Sequence, residues 1–287
     1  MFRRIFLVFL LPLLILSTSF KTKTVEDDKK LVNNLINKLI EQKNNTHSVI
    51  LTMIMKERIK DSYLSKKANF KISYNPYKIY LKQEYPNNFE VLFKEGENND
   101  KAWVKPSSFP WTTVSLNPTG KTMRENNHHS LYKAGFRFIV EVFEYLQCKY
   151  NEDFQDMVTY NGLVKYNNLL SHKFTFENPD FAFIDYVLSE NSTLEKLSDK
   201  LKFNDYMVIQ LNPELKDFEV ISAGTKITIP TDYSKRIVAY VDVNTGYFNG
   251  VKAYDDNGLW EEYTYVGLKI NPNFTELDFD IENPATE

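Results

Sequence analysis

Cysteine is almost missing from this chain: Cys148 is the only one in 287 residues, so no intramolecular disulfide and no thiolate zinc cluster can form. Glycine is scarce too, at 9 residues, and no Gly-rich phosphate loop, Gly-x-Ser-x-Gly elbow or zinc-protease helix motif occurs. Positive charge is not in surplus, since Lys+Arg 35 stand against Asp+Glu 38 for a formal −3. That argues against a nucleic-acid partner, which would need a basic surface to neutralise phosphates. After the amino terminus no apolar run approaches the roughly 20 residues of a spanning helix. What the chain has in excess is rings: aromatics make up 15%, with 18 Tyr and 21 Phe. Flat side chains pack well on a pleated surface, so the composition points to a β-rich globular protein.

Met1-Phe2-Arg3-Arg4, the apolar run Ile5 to Leu16 and the small residues Ser17-Thr18-Ser19 read as a secretory signal over residues 1–19, cleaved after Ser19. Retention as an anchor is the alternative. No cysteine follows the apolar core, which excludes a lipid-modified terminus of the bacterial lipobox type. Loss of Arg3 and Arg4 leaves 33 of the 35 basic side chains against 38 acidic ones, a formal −5. A lone cysteine also suits an oxidising compartment. The expected location is therefore the periplasm or cell envelope, with no transmembrane segment after cleavage.

Leu31, Leu35, Ile36, Leu39 and Ile40 form one stripe at helical spacing between Val25 and Gln42. Strands are expected at Ser48 to Ile59, Phe70 to Tyr74, Tyr77 to Tyr85, Phe89 to Lys94 and Lys101 to Val104, an antiparallel meander. Lys105 to His129, punctuated by Pro106, Pro110, Pro118 and Gly120, reads as a long loop carrying Phe109 and Trp111. Leu131 to Tyr150 returns to helical period, with Cys148 expected as a small buried thiol. Strands resume over Gly162 to Phe176 and again from Arg236 to Ile270, where Asn257-Gly258 signals a tight hairpin.

Tyr186 to Pro230 interrupts that pattern with a strand, a helix begun by Ser192-Thr193-Leu194, a second helix Tyr206 to Leu211 ended by Asn212-Pro213, and the strand Ile221 to Pro230. The tail Ile221, Gly224, Ile227, Ile229 and Pro230 resembles a LysM module, a β-α-α-β unit that binds N-acetylglucosamine-containing glycans. The resemblance implies glycan contact through Asn191, Ser192, Thr193, Leu194, Asn212 and Pro213, although Asn191 stands where that family usually has glycine. The rest of the mature chain carries Lys56-Glu57-Arg58, Pro76-Tyr77-Lys78-Ile79-Tyr80-Leu81-Lys82, Asn117-Pro118, Met123-Arg124 and His128-His129. Ala134-Gly135-Phe136, Asp242, Gly246, Tyr254-Asp255 and Glu262-Tyr263-Thr264-Tyr265 complete the set. In this order they resemble the bacterial domain-of-unknown-function family 1571, with Bacteroidota members looking similar. That family looks related to the periplasmic lipoprotein carriers. The resemblance implies an α+β fold: a curved antiparallel half-barrel sheet over residues 20–185 and 231–287, helices on its concave face, and the 186–230 unit projecting from a hairpin.

Adjacent side chains such as His128 and His129 diverge and rarely chelate one ion, so no metal site and no cofactor are expected. Asp255-Asp256-Asn257-Gly258 lacks the terminal bidentate Glu of a calcium loop. The leading expectation is a non-enzymatic envelope protein that holds a lipid or lipoprotein acyl chain and docks on peptidoglycan. Tyr80, Tyr263 and Tyr265 would line its pocket, with Phe109 and Trp111 closing it. The alternative is an envelope hydrolase or transferase acting on peptidoglycan or lipid, whose polar side chains would cluster around Glu57, Arg58, Arg124 and His128.

Overall fold

The computed structural model describes residues 24–109, 111–215 and 220–282; the expected signal at 1–19 lies outside them. Thr24 caps helix α1 (Val25–Asn44) through a reciprocal box with Asp27, and Glu26, Asp27 and Asp28 sit at the positive end of its dipole. Its buried stripe runs through Val32, Ile36 and Leu39, so the inward face is centred one position beyond Leu31. Among the described residues no helix is long and apolar enough to cross a membrane.

The strands β1 (Ser48–Ile59), β2 (Ser62–Tyr74), β3 (Tyr77–Tyr85), β4 (Phe89–Lys94), β5 (Ala102–Pro106) and β6 (Val114–Leu116) form a meander. After it come helix α2 (Lys121–Arg124), helix α3 (Arg137–Tyr150) and the strands β7 (Val158–Tyr166) and β8 (Leu169–Glu177). The carboxyl part adds β13 (Arg236–Asp242), β14 (Phe248–Asp255) and β15 (Gly258–Ile270). All eleven strands join one antiparallel, open, curved sheet in the order β6-β5-β4-β3-β2-β1-β15-β14-β13-β8-β7. Its two halves meet where β1 pairs with β15, Met53 opposite Tyr265 and Met55 opposite Tyr263.

Period-two alternation sends Val49, Leu51, Met53, Phe70, Ile72, Ile79 and Leu81 to the inner face. There they meet α1 and α3 in the main core, where Phe143 packs edge-on against Phe174. The expected helix from Leu131 begins only at Arg137, because Gly135 turns the chain at φ +84, where a side chain would be strained and would crowd the Tyr74 hydroxyl. Cys148 faces outward on α3 and is exposed, since the apolar stripe of that helix passes through Phe143 and Leu146 instead. The expected 105–129 loop also contains structure, namely β6 and the single turn α2.

The segment between β8 and β13 holds β9 (Phe183–Val187), β10 (Ser192–Thr193), helices α4 (Leu194–Leu201) and α5 (Asp205–Leu211), β11 (Val220–Ile221) and β12 (Lys226–Pro230). β9 pairs antiparallel with β12, and α4 and α5 lie between them in sequence. Its own apolar cluster, with Leu194, Phe203, Met207 and Ile229, takes in Trp260 from β15. This unit does not project from the sheet as expected: buried charge binds it down. At its root Asp232 accepts hydrogen bonds from Lys149 at 2.6 Å, from Tyr150 and from Asn178.

Candidate functional site

The inner face of the sheet is not filled from edge to edge. α1 and the body of α3 pack on one end, and over β1–β5 the facing side is lined by the chain from Pro118 to Ile139 together with Tyr233. A cavity of about 380 Å³ remains beneath it. Met53, Met55, Phe70, Leu81, Val91 and Val104 form apolar walls. Met123 closes the opposite side, so three of the chain's 6 methionines line one space. Their unbranched thioethers adapt readily to the shape of an occupant.

One end of the cavity is polar. Glu57 and Glu261 face each other across β1 and β15 and are 3% and 2% exposed. Two like charges in direct register repel, so this pairing persists only because cations and donors converge on it. Lys66, which faces Met55 on the neighbouring strand, donates to Glu57 and to the Asn126 carbonyl, and at 2.7 Å to Asn127 Oδ1. The Tyr263 hydroxyl sits 2.7 Å from Glu57 Oε1 and 3.1 Å from Glu261 Oε2. Glu261 also takes His128 Nδ1 at 2.8 Å, Asn204 Nδ2 at 3.1 Å and the Tyr233 hydroxyl, with His129 Nε2 at 3.3 Å. Both ring nitrogens of His128 face acceptor oxygens, the second being the Arg58 carbonyl at 3.0 Å. The ring also stacks on Trp260 at 4.3 Å and on Tyr206 at 5.0 Å.

A second charge layer continues from the first. Arg124 is fully buried and forks onto Asp205 with two bonds of 2.9 Å. It also reaches Glu195 at 3.3 Å and the His128 carbonyl at 3.0 Å. Lys133 bonds Ser198 and lies 3.4 Å from Glu195 and 3.7 Å from Asp205. Glu195, Ser198, Asn204 and Asp205 all belong to α4, α5 or the turn between them. The inserted unit thus supplies two of the four buried carboxylates beside the cavity, Glu195 and Asp205.

Burial alone would push these carboxyls up. For Glu57 it is outweighed by Lys66, by His128 and by the Lys66 and Tyr263 hydrogen bonds, so the group titrates below its ordinary 4.5. Glu261 is held well below 4.5 by His129 and His128, and Asp205 well below 3.8 by Lys133 and Arg124, again against desolvation. Burial and the two carboxylates push the Tyr263 hydroxyl far up. Unfolded carboxyls therefore take up protons at higher pH than these folded ones do. Their stabilisation is complete above about pH 4.5 and drains away as pH falls toward the folded values. The urea midpoint is expected to drop steadily from about pH 4.5 to about pH 3. Glu261→Gln should flatten that fall; an unchanged slope in this variant would mean the carboxyl is not the buried anion described.

Of the sequence-derived candidates, Glu57, Arg124 and His128 come together in this network. Arg58 points the other way, to Asp255 and over the Trp260 ring at 5.0 Å, because adjacent strand residues alternate faces. Tyr263 and Tyr265 line the cavity. Tyr80 does not: it lies on the outer face, donates to Glu90 at 2.9 Å and packs under Leu92, Phe279 and Ile281. Phe109 and Trp111 do not close the cavity either, being 79% and 64% exposed and absent from its lining. Leu194 is buried core, and Asn212 is buried in a clasp to Val208 and Thr228, so neither is open to a glycan. Asn191 caps the Ala223 amide at 2.8 Å, Thr193 caps α4 through Lys196, Ser192 bonds the Thr193 carbonyl, and Pro213 is exposed.

Sequence reasoning missed Lys66, Lys133, Glu195, Asp205 and Tyr233, and weighed His129 only as a metal ligand beside His128. Only for Lys66 was a signal present, since extending the Phe70–Tyr74 alternation backwards puts it on the inner face. Among the described residues no group of His, Cys, Asp and Glu is arranged to hold a metal ion.

Residues 46–180 match the sequence model of the family described as "Protein of unknown function (DUF1571)". No curated protein matches the chain. Among solved structures it is similar to LprF from Mycobacterium bovis, at 10% identity and a TM-score of 0.43, covering 85% of this chain and 95% of that one. The lipoprotein LppX from Mycobacterium tuberculosis gives 12% identity and 0.39, over 85% and 98%. A LolA superfamily protein from Nitrosomonas europaea gives 9% and 0.33, over 86% and 96%.

Proposed function

We propose that this chain, which matches the DUF1571 family over residues 46–180, is an exported cell-envelope binding protein. In this reading it shelters a lipid or lipoprotein acyl chain under its curved sheet. The observation that carries the reading is the cavity of about 380 Å³ with methionine and aliphatic walls and one polar end, a size typical of small-molecule sites. An acyl chain gains about 0.8 kcal/mol for each methylene removed from water. About ten sheltered methylenes would contribute about 8 kcal/mol, a micromolar affinity before ordering costs are subtracted. Native mass spectrometry after gentle purification should find an adduct of lipid mass, and a fluorescent fatty acid should displace it. A bare protein that shifts no such probe would overturn the reading.

The second half of the proposal is that residues 186–230 dock the protein on peptidoglycan. The β-α-α-β order supports it, and only Asn191, Ser192, Thr193 and Pro213 remain of the six expected contacts. Failure to co-sediment with purified sacculi would remove this half and leave the lipid half standing.

An envelope hydrolase or transferase is favoured by one observation, that Glu57, His129 and Tyr263 line the same cavity. That reading requires turnover of bound lipid or peptidoglycan fragments which Glu57→Gln abolishes. Binding with no turnover decides for the carrier.

A further inference from the structure

Residues 106–120 contain no Asp, Glu, Lys or Arg, in a chain where such residues make up 25%. Within that stretch, between β5 and β6, Phe109 and Trp111 stand out from the surface and pack edge-to-face on each other at 5.5 Å. Trp111 has φ +50, a conformation that bulky residues seldom adopt. Val114 follows on the same stretch, also exposed.

These rings belong to the surface that surrounds the cavity. The Ser107 amide donates to the Asn88 carbonyl at 3.2 Å, which ties the root of the loop to the turn after β3. Pro86 and Asn87 from that turn line the cavity, as do Phe89 at the start of β4 and Leu116 and Pro118 at the far end of the loop. Tyr85, 58% exposed, stands beside them. Exposed rings thus stand on a loop whose root and far end both adjoin an apolar cavity to which neither Phe109 nor Trp111 contributes a wall.

We infer that Phe109 and Trp111 dock this protein on the interfacial zone of a lipid bilayer, with Tyr85 and Val114 at the edge of the contact. Tryptophan and other rings partition to the headgroup level, where one side of the contact is apolar and the other wet. The loop carries no charge and the chain is net negative, so the attraction is to a neutral, zwitterionic interface and is indifferent to salt. Such docking brings the cavity mouth to the source of its occupant. In that respect it rests on the acyl-chain reading, but its test does not.

The chain has 3 tryptophans. Trp260 is 1% exposed, and Trp103 packs toward the Tyr80 and Leu92 cluster, so Trp111 reports on the loop. The full chain is titrated with phosphatidylcholine vesicles brominated on the acyl chains, at low and high salt. Expected results are a blue shift and quenching of tryptophan emission, equal at both salt levels and lost in Trp111→Phe. Phe109→Ser, which leaves the reporter in place, should raise the lipid concentration at half-quenching about tenfold. No quenching in the parent protein, or quenching that survives Trp111→Phe, would overturn the inference. So would a Phe109→Ser protein that empties its cavity while quenching stays unchanged, which would make the loop a lid. Native mass spectrometry on the same samples separates the two readings. Docking with an empty cavity sinks the acyl-chain proposal alone, and a filled cavity without quenching sinks docking alone.

Discussion

Replacing Arg124 by Met should destabilise the protein by about 3–5 kcal/mol, the cost of leaving a buried charge without its partner. Asp205 accepts both arms of the guanidinium fork. Without them its remaining ion-pair partner among the described residues is Lys133 at 3.7 Å. Arg124→Lys should recover little, because a point charge cannot reproduce two parallel bonds. Removing both charges as Arg124→Met with Asp205→Leu should restore most of the loss, since no uncompensated ion then remains. Urea unfolding gives the magnitudes, and amide exchange in α4 and α5 tells whether the inserted unit opens first. A loss under about 1 kcal/mol would mean that water reaches this layer.

Val104→Phe and Leu116→Phe should weaken binding of a fluorescent fatty acid about 100-fold each. Both side chains line the cavity and are half-buried, so a larger ring enters empty space instead of an already packed core. Excluding about four methylenes of cargo forfeits about 3 kcal/mol. Folding stability should hold or rise, because filling a void restores contacts that its lining lacks. Tyr80→Phe on the outer face is the matched control and should leave affinity unchanged. Equal binding by all three proteins would show that the ligand sits elsewhere.

The two outcomes depend on residues that differed in how far they could be read in advance. Glu57 and Arg124 carried motif resemblance, and period-two alternation put Tyr263 and Tyr265 together on one face. Alternation separates the two faces of a strand, but it does not say which face the sheet bends around. That is why Tyr80 was expected in the pocket and lies outside it. Phe109 and Trp111 were recognisable as loop aromatics, yet their distance from the cavity depends on where Ser107 is tied. Asp205 and Glu195 looked like ordinary residues at helix starts, because nothing local announces that Arg124 fills the space above them.

The amino-acid order by itself determined the local periods: the apolar stripe of α1, the alternation of the strands and the tight turn at Gly258. These follow from backbone and side-chain preferences that act over a few residues. Only the tertiary structure decided that β1 pairs with β15. That single register sets Glu57 against Glu261 and obliges Lys66, His128, His129 and Tyr263 to gather there. It was also the curvature of the completed sheet that left a space beneath the Pro118–Ile139 chain. Pairing and curvature are settled by packing between segments far apart in the chain, where a short-range pattern carries no information.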